Sequence, residues 1–510
     1  MPDKHYMVDI SDKVEQIKEL VDDSSYFVIN RARQFGKTTI LSALRRVLKK
    51  DYTVISISFE ELGYESFASS ESFCIEFMEI VQNALQFEEV DDKYLKCWVN
   101  TDVHTFKELS RHITRMCEGE NVVLMIDEVD KTSNNRVFLD FLSLLRSKFL
   151  ARENGNDYTF HSVILAGVYD IKNIKLKMIQ EGTHITAKDE SKVYNSPWNI
   201  AVDFTVDLSF NPTDIESMLR DYEEEYCTGM CLDSLSKEIY TYTSGYPYLV
   251  SRVCQHIDKK LNKNWTVDGV NDAVKILFKE NNTLFDDLFK NLENHIGLYD
   301  LIYDVLIVGR PRSYFINDPV IKLGMMYGIV SESNGLVQIS NQIFERAICN
   351  YFVVKDEHNK KSVSGVLRDD VMHNGKFNME LCLRKFSEHY FEIFSEKDIH
   401  FLEQYGRLIF LSYLKPLING LGFFHIESQF TDLRRMDVVV DVGRQQFIVE
   451  LKIWHGEEYY SKGILQLCGY LESKNMDEGY LLTFDFRKRD KIRRAEWKAV
   501  HGKRIFDVIV

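Results

Sequence analysis

The sequence lacks the features that mark secreted and membrane proteins. Its 9 cysteines are scattered without a disulfide framework, which predicts reduced thiols and a cytoplasmic location. No apolar run reaches the roughly 20 residues that a membrane-spanning helix needs. The first residues lack the charged-then-apolar layout of a signal peptide. From the sequence alone, no membrane partner is expected.

A general excess of positive charge is also missing. Lys and Arg total 63 against 78 Asp and Glu, which gives a net charge of −15. This argues against a protein that coats nucleic acid with its whole surface, although local basic patches remain open. The composition fits packed globular domains, because 45% of the residues are hydrophobic and 13% are aromatic. A chain of 510 residues is long enough for roughly three domains.

The first informative stretch begins with an apolar run at residues 26–29. A tight loop follows, which ends in Gly36, Lys37 and Thr38, and residues 40–48 then carry apolar side chains at helical spacing. Strand, loop and helix in this order are the context of a phosphate-binding loop. The helix N-terminus offers N–H groups and a partial positive charge to a phosphate.

The residues of this loop have expected roles in binding a nucleotide. Lys37 should reach the β- and γ-phosphates, and Thr38 should hold Mg²⁺. Gly36 and Thr39 are included among the nucleotide-binding residues. Arg31 is included as well, although the usual pattern has a glycine at its position. The plain alternative is a Gly-Lys-Thr tripeptide that occurs by chance.

A second apolar run, at residues 121–126, ends in Asp127 and Glu128. This pattern is typical of a buried parallel strand whose carboxyl end meets a ligand. Asp127 is expected to bind the hydration shell of Mg²⁺, and Glu128 to orient or deprotonate the attacking water during hydrolysis. The alternative is an acidic loop that follows a core strand.

Three further runs predict the rest of a doubly wound parallel sheet. Residues 53–59 alternate between apolar and polar side chains, and residues 161–168 form a buried strand with Tyr169 and Asp170 at its carboxyl end. Residues 205–208 are predicted to be the last core strand. Strands that alternate with helices indicate an α/β fold.

Helices are predicted to follow the sheet. A helix start lies near residue 211, with Thr213 or Asp214 as its cap. The turn at 245–247, Gly-Tyr-Pro, resembles the lid motif of STAND-type signalling ATPases and related archaeal ATPases. In those families the turn closes on the bound nucleotide, so the resemblance implies that Pro247 binds nucleotide.

A small helical domain and a linker are predicted next. Asn334 and Gly335 form a hairpin signal after several helices, which predicts a winged helix over residues 293–354. Such a domain binds DNA or packs on the nucleotide domain, and packing is the favoured role. The polar residues 355–375 are predicted to be a linker.

The C-terminal part carries a second group of chemically suggestive residues. Strand-like runs between residues 423 and 452 place Asp437 on one strand and Glu450 and Lys452 on the next. Because side chains alternate along a strand, Glu450 and Lys452 share a face that Asp437 can meet. Carboxylates bind Mg²⁺ through hard oxygens, the metal lowers the pKa of a bound water, and Lys452 could position that water.

Other residues could complete this site. Gln466 on the following helix could face it, and Glu403 on the preceding helix could add a metal-binding carboxylate. The alternative is a surface ion pair between Glu450 and Lys452. A basic run near the C-terminus could contact phosphates, or could be a solvated face; it comprises Arg487, Lys488, Arg489, Lys491, Arg493, Arg494, Lys498, Lys503 and Arg504.

These motifs together resemble prokaryotic proteins in which an AAA-ATPase-like domain is fused to a C-terminal nuclease domain of the PD-(D/E)XK superfamily. The resemblance covers nearly the whole chain and rests on residues 27–39 and 126–131 and on the four residues Asp437, Glu450, Lys452 and Gln466. It implies ATP and Mg²⁺ or Mn²⁺ as cofactors, and roles in phage defence, mobile elements or signalling. Arg31 looks like a family trait, whereas Gln34 replaces a frequent arginine.

The predicted architecture is therefore α/β in five parts. These are a P-loop AAA-like ATPase core with a parallel sheet at 1–210, a helical lid at 211–292, a winged helix at 293–354, a linker at 355–375, and a restriction-endonuclease-like PD-(D/E)XK domain at 376–510. The expected catalytic residues are Glu128, Asp437, Glu450, Lys452 and Gln466, and the expected metal ligands are Thr38, Asp127, Glu403, Asp437 and Glu450.

The expected function is ATP binding and hydrolysis coupled to metal-dependent cleavage of nucleic acid, with DNA as the first expectation. A homo-oligomer is left open, with Arg146 and Arg252 as candidates to reach a neighbouring subunit's nucleotide. One alternative is a STAND-like signalling ATPase whose C-terminal domain binds nucleic acid or protein without cleaving. Another is a transposition-type ATPase that recruits a partner enzyme.

Overall fold

The computed structural model of the chain describes residues 6–86, 103–129, 135–168, 198–308, 310–359, 368–393, 399–418, 421–427, 437–485, 487 and 494–510. The predictions for Tyr169 and Asp170 lie outside these residues. The chain divides into two compact units, Met1–Lys279 with Met326–Gly328, and Glu280–Met325 with Ile329–Val510. The finer division into five parts stays a prediction. No helix in the described ranges is long and apolar enough to cross a membrane.

The first unit is built on a four-stranded parallel sheet. Its strands are β1 (Tyr26–Asn30), β2 (Thr53–Ser58), β3 (Val122–Asp127) and β4 (Ser162–Gly167). They lie in the order β1-β4-β3-β2, and every pairing is parallel. The strands predicted from the four apolar runs are thus confirmed. One strand, β4, separates the strand that precedes the phosphate-binding loop from the strand that ends in Asp127.

Helices cover both faces of this sheet, because its strands are apolar on both faces. Phe27 and Ile29 belong to one hydrophobic cluster and Val28 to the other, as the alternation of side chains along a strand requires. The first cluster is completed by α1 (Ser11–Asp22) and α2 (Lys37–Leu48), and the second by α3 (Ser70–Gln86), α4 (Phe106–Cys117) and α5 (Arg136–Glu153).

The predicted strand at residues 205–208 does not form. Within the described residues 198–210, a single residue, Val202, pairs in parallel with Phe27 of β1, and the Val202 N–H donates to the Tyr26 carbonyl at 2.9 Å. Val206 and Leu208 are nevertheless buried. The alternation of apolar and polar residues therefore predicted correctly which side chains are buried. It did not predict backbone pairing, because a segment can bury one face without joining a sheet.

Four helices follow in the first unit: α6 (Pro212–Tyr226), α7 (Leu232–Thr243), α8 (Pro247–Lys260) and α9 (Val267–Leu277). The predicted cap of α6 is wrong. Asn211 is the cap, since its side chain accepts from the Asp214 N–H at 2.8 Å, and the Asp214 carboxylate accepts from the Asn211 N–H at 2.9 Å. Pro212 fixes this register, because a proline suits the first helical position.

The second unit begins with helices and a small hairpin. These elements are α10 (Thr283–Asn294), α11 (Ile296–Tyr303), a π-helical turn (Asp304–Val308), α12 (Pro319–Met326), β5 (Val330–Ser333), β6 (Leu336–Ile339) and α13 (Gln342–Asn359). The hairpin predicted at Asn334 and Gly335 is confirmed, and both residues have positive φ, 51° and 77°. The winged-helix assignment stays a prediction.

A six-stranded mixed sheet forms the rest of the second unit. A short hairpin comes first, with two residues in each strand, β7 (Met372–His373) and β8 (Lys376–Phe377). The elements that follow are α14 (Met379–Ile393), α15 (Ile399–Ile418), β9 (Gly422–Glu427), β10 (Asp437–Val442), β11 (Gln445–Ile453), α16 (Glu457–Ser473), β12 (Glu478–Phe484), β13 (Arg494–Val500) and β14 (Lys503–Ile509). The order is β13-β14-β12-β11-β10-β9. Strands β9, β10 and β11 are antiparallel, whereas β11, β12 and β14 are parallel.

A buried lysine of α5 links this helix to α4 in the first unit. Lys148 of α5 is 2% exposed, and its Nζ lies 2.7 Å from Asp157 Oδ2 and 2.7 Å from Thr114 Oγ1 of α4. Burial by itself raises the pKa of Asp157, but the hydrogen bonds from Lys148 and Thr114 outweigh it and lower that pKa. The ion pair is thus satisfied on both sides, as a buried pair must be.

Replacing Lys148 by Met should lower the stability of the first unit, because it leaves the Asp157 carboxylate without its cation. We expect a loss of about 2–3 kcal/mol, near the lower end for buried pairs because Asp157 is partly exposed. A group with a lowered folded pKa stabilises above its unfolded pKa. The difference in Tm between the variant and the wild type should therefore be full at pH 7 and shrink below about pH 4. A Tm at pH 7 equal to wild type would contradict this role.

Candidate functional site

The phosphate-binding loop lies between the end of β1 and the start of α2. Gly36 precedes α2 in a left-handed conformation, φ 81°, which a glycine adopts without strain. The first N–H groups of any α-helix lie outside its ladder of hydrogen bonds, and those of α2 come directly after this turn. Thr39 is exposed in this first turn. The start of the helix therefore has the geometry that binds a phosphate.

The side chain of Lys37 is folded into this loop. Its Nζ donates to the carbonyl oxygens of Arg31 at 3.0 Å and Ala32 at 3.1 Å. Lys37 is buried, although lysine is a residue that is rarely buried unless it is paired. A bound phosphate would replace these carbonyl oxygens as the partner of the ammonium group. It would be the stronger partner, because it carries a full negative charge.

Thr38 and the acidic strand meet directly. The Thr38 hydroxyl donates to Asp127 Oδ2 at 2.8 Å, and the Glu128 N–H donates to Asp127 Oδ1 at 2.9 Å. A hydroxyl and a carboxylate in contact are hard oxygen ligands that suit Mg²⁺. Glu128 has a positive φ of 56°, uncommon for a residue other than glycine and frequent at functional sites.

The turn at 245–247 lies against the same loop. The Tyr246 hydroxyl donates to the Arg33 carbonyl, and its ring meets the Phe35 ring edge-on, with centroids 4.8 Å apart. A side-chain carbon built on Gly36 would lie 4.0 Å from Pro247 Cβ. The structure thus brings Pro247 to the nucleotide loop. The sequence analysis missed Tyr246, although an aromatic residue within a lid motif was the available signal.

Arg31 engages the segment that runs beside β1. Its Nη1 donates to the Asn30 carbonyl at 2.9 Å, and its Nη2 donates to the Val206 carbonyl at 2.7 Å. Its guanidinium carbon lies 5.1 Å from the centroid of the Phe204 ring. The main chain of Arg31 therefore belongs to the loop, while its side chain contacts residues 204–206.

In the second unit, β10 and β11 place the predicted residues next to one another. Asp437 is the direct cross-strand partner of Glu450. Glu450 is 1% exposed and Lys452 is 8% exposed, and Lys452 Nζ lies 2.9 Å from Glu450 Oε1. This is an ion-pair contact, and Glu450 Oε1 has no well-directed hydrogen bond within the described residues. The alternative of a surface ion pair is therefore wrong, because the pair is buried.

Helix α16 closes over this pair. Lys452 Nζ lies 3.5 Å from Gln466 Oε1, so Gln466 does face the site. Gly463, one turn earlier, gives the lysine stem room, because a side-chain carbon there would lie 3.1 Å from Lys452 Cε. Of Glu403 and Asp437 the structure describes the backbone only, in α15 and β10. Among the described side chains, no group of three or more His, Cys, Asp or Glu is arranged to hold a metal.

The sequence analysis missed Arg407 in this site. From α15, its Nη1 donates to the carbonyls of Leu306 at 3.2 Å and Ile307 at 3.0 Å. Burial lowers the pKa of Arg407 to about 10, while Cys349 and Glu450 oppose this shift, so the guanidinium is within electrostatic reach of the Glu450 carboxylate. Its position four residues after Glu403, on the same helix face, was the available signal.

The described part of the basic run is paired with acids. Arg487 contacts Asp485, and both Arg494 and Lys498 contact the buried Asp507. Lys503 and Arg504 contact Asp477 and Glu478. Five cations with carboxylate partners present less free positive charge than the sequence suggests. The remaining members, Lys488, Arg489, Lys491 and Arg493, lie outside the described residues.

Replacing Lys37 by Ala should abolish nucleotide binding, because the ammonium group that meets the β- and γ-phosphates is removed. We expect the Kd of a fluorescent ATP analogue to rise roughly 100-fold or more. Lys50→Ala, at an exposed lysine just after α2, is the matched control and should bind as wild type does. Tight binding by Lys37→Ala would contradict the assignment of this loop.

The chain is similar to one known protein family and to several solved structures. A family model described as an AAA-like domain matches residues 4–352. No curated protein matches the chain. Similar solved structures include a Walker-type ATPase of Pyrococcus abyssi, with 13% identity over 66% of this chain and 95% of that chain, and a TM-score of 0.44.

Two structures of origin-recognition proteins are also similar. ORC2 of Aeropyrum pernix, in ADPNP and ADP complexes, shares 12% identity over 69% of this chain and 95% of that chain, with a TM-score of 0.35. Drosophila ORC bound to DNA shares 12% identity over 61% of this chain and 79% of that chain, with a TM-score of 0.29. The family match spans well over half of the 510 residues and includes the whole loop, Asp127 and the turn at 245–247. The chain therefore belongs to the AAA-like domain family and is an ATP-binding ATPase.

Proposed function

We propose that this ATPase also cleaves phosphodiester bonds of nucleic acid, with DNA as the first substrate, at the site in its second unit. The observation that carries the proposal is the buried Glu450–Lys452 pair, 2.9 Å between Oε1 and Nζ, with Gln466 3.5 Å from the same Nζ. A buried charge pair needs a reason to persist, because apolar residues of the same volume often stabilise a protein as well.

The architecture around the pair supports the same proposal. Three antiparallel strands, then a helix, then a parallel strand follow α15 in the chain, and Asp437 and Glu450 are opposite one another. This is the order of elements that a PD-(D/E)XK nuclease domain would require. The finer domain division predicted above, with a helical lid, a winged helix and a linker, is part of the proposal.

The donor set suits a hard divalent cation such as Mg²⁺ or Mn²⁺. Glu450 Oε1 is a buried carboxylate oxygen without a well-directed hydrogen bond among the described residues, and Asp437 is its cross-strand neighbour. A bound ion would supply charge neutralisation and a more acidic water. Asp437 and Glu450, with Glu403 from α15, would hold it, while Lys452 would orient the water and Gln466 would fix the lysine.

Nucleotide binding in the first unit would regulate cleavage by the second unit. Lys37, Thr38 and Asp127 would bind ATP with Mg²⁺, and Glu128 would orient the hydrolytic water. We expect ATP to change the cleavage rate rather than to take part in cleavage, because the two sets of residues share no side chain. Roles in phage defence or mobile-element biology, and a homo-oligomer that uses Arg146 or Arg252, remain part of this hypothesis.

A second candidate is a signalling ATPase whose C-terminal domain binds nucleic acid or protein without cleaving. Every described cation of the basic run is paired with an acid, which leaves few free cations for a phosphate backbone and therefore favours the protein-binding form of this candidate. Binding that does not lead to cleavage would distinguish this candidate from a nuclease.

The test is a cleavage assay with purified protein on single- and double-stranded DNA and RNA, with Mg²⁺ or Mn²⁺, with and without ATP. Wild type should cleave at least one substrate only when metal is present. Lys452→Ala should slow cleavage by about 10²–10⁴-fold, the usual contribution of a positioned acid–base group, and leave ATP hydrolysis intact.

Lys462→Ala is the matched control, because Lys462 lies on the same helix α16 but is exposed and paired with Glu458 at 2.8 Å. It should cleave as wild type does. If Lys452→Ala cleaves as fast as wild type, Lys452 has no catalytic role. If wild type binds nucleic acid but leaves every substrate intact with both metals, the signalling candidate is favoured.

A further inference from the structure

Arg31 departs from the usual phosphate-loop pattern, and its main chain explains how the loop tolerates this. The Arg31 N–H donates to the Gly167 carbonyl at 3.1 Å, which extends the β1–β4 ladder by one residue. The Arg31 carbonyl accepts from Lys37 Nζ at 3.0 Å. The backbone of Arg31 is therefore fixed on both sides, and its side chain is left to act elsewhere.

The Arg31 side chain bridges two carbonyl groups, which are both acceptors and cannot hydrogen-bond to each other. Asn30, the last residue of β1, and Val206, in the segment beside β1, each present a carbonyl oxygen, and the two nitrogens Nη1 and Nη2 donate to them at 2.9 and 2.7 Å. A planar guanidinium can serve two acceptors at once, which a single lysine ammonium at this reach cannot do with the same geometry. The side chain replaces the backbone ladder that residues 205–208 do not form.

Aromatic stacking holds the guanidinium in place. Its carbon lies 5.1 Å from the centroid of Phe204, and the Phe204 ring stacks on Phe27 of β1 with centroids 6.0 Å apart and planes 8° apart. A cation over an aromatic face gains more when it is shielded from water. Burial accordingly lowers the pKa of Arg31, while the nearby Asp207 opposes the shift. Arg31 is thus anchored to the segment and not to solvent.

The anchored segment leads directly into the lid. Four residues after Val206, the Phe210 N–H donates to the Gly245 carbonyl at 2.8 Å. Gly245 has a φ of 71°, and a side-chain carbon there would lie 1.9 Å from the Phe210 carbonyl oxygen, so only glycine permits this approach. The next two residues, Tyr246 and Pro247, return to the phosphate loop. Loop, segment and lid turn therefore form a closed ring of contacts.

We infer that Arg31 is a positioning residue of the ATPase, which ties the phosphate loop to the lid-bearing segment through Val206 and Phe204 without contacting the nucleotide. The arginine holds the loop in the shape in which the N–H groups of α2 and Lys37 meet the phosphates. It also transmits any shift of the loop to the segment that carries the lid. The glycine of the usual loop cannot make this tie.

The test measures Kd for fluorescent ATP and ADP analogues in Arg31→Ala, Arg31→Lys, Phe204→Leu and the double variant Arg31→Ala with Phe204→Leu. Arg31→Ala should raise the Kd of both nucleotides by the same factor, roughly tenfold, because it changes the conformation of the loop and removes no phosphate contact. Arg31→Lys should be as weak as Arg31→Ala, since it keeps the charge but not the two-carbonyl bridge. Phe204→Leu should raise the Kd of both nucleotides, and the double variant should have Kd values no higher than those of Arg31→Ala alone.

Arg46→Ala, at an exposed arginine of α2, is the control and should bind as wild type does. The inference is overturned if Arg31→Lys restores affinity, or if Arg31→Ala weakens ATP much more than ADP, because both results indicate a phosphate ligand. It is also overturned if the effects of Arg31→Ala and Phe204→Leu multiply, or if Arg31→Ala leaves both Kd values unchanged. Should Arg31→Ala fail to fold, Arg31→Lys and Phe204→Leu decide the question by the same comparison.

Discussion

The hydrogen bond from the Thr38 hydroxyl to Asp127 Oδ2, 2.8 Å long, joins the two halves of the nucleotide site. Thr38 lies in the first turn of a helix on one face of the sheet, and Asp127 is the last residue of a strand within the sheet. They meet because β4 alone separates β1 from β3, and all the strands end at the same edge. The parallel sheet thus brings together residues that are 89 positions apart in the chain.

The two candidate sites of the chain use charge in different ways. In the first unit, Lys37 Nζ donates to two carbonyl oxygens, and a polyanion is a stronger partner for its ammonium group than those dipoles are. In the second unit, Lys452 already has the carboxylate of Glu450, and both are buried. A buried pair is held by its surroundings, because separating the two charges leaves each without a partner in a medium of low dielectric constant. The first site is therefore poised to take up charge, and the second to hold a fixed arrangement.

Sequence alone predicted the parts of both sites that depend on local pattern. The apolar runs located β1 to β4, and the spacing of Glu450 and Lys452 placed both on one face of a strand. It could not predict contacts that depend on where distant segments come to lie. Arg31 donates to the Val206 carbonyl, 175 positions away, and Arg407 to the carbonyls of Leu306 and Ile307, 101 and 100 positions away. A carbonyl has no sequence signature. The same limit explains residues 205–208, where alternation indicated burial correctly but not pairing.

The phosphate-binding loop, residues 204–210 and the turn at 245–247 are linked by successive contacts. The Phe210 N–H donates to the Gly245 carbonyl at 2.8 Å, and a side-chain carbon on Gly245 would lie 1.9 Å from the Phe210 carbonyl oxygen, so the two backbones are packed closely. When Lys37 leaves the carbonyls of Arg31 and Ala32 for a phosphate, those carbonyls lose their donor and the loop must adjust. Packed elements adjust by changing between discrete arrangements rather than by gradual deformation. If Arg31 ties the loop to residues 204–206, as inferred above, a shift of the loop should reach residues 206–210 and the turn at 245–247.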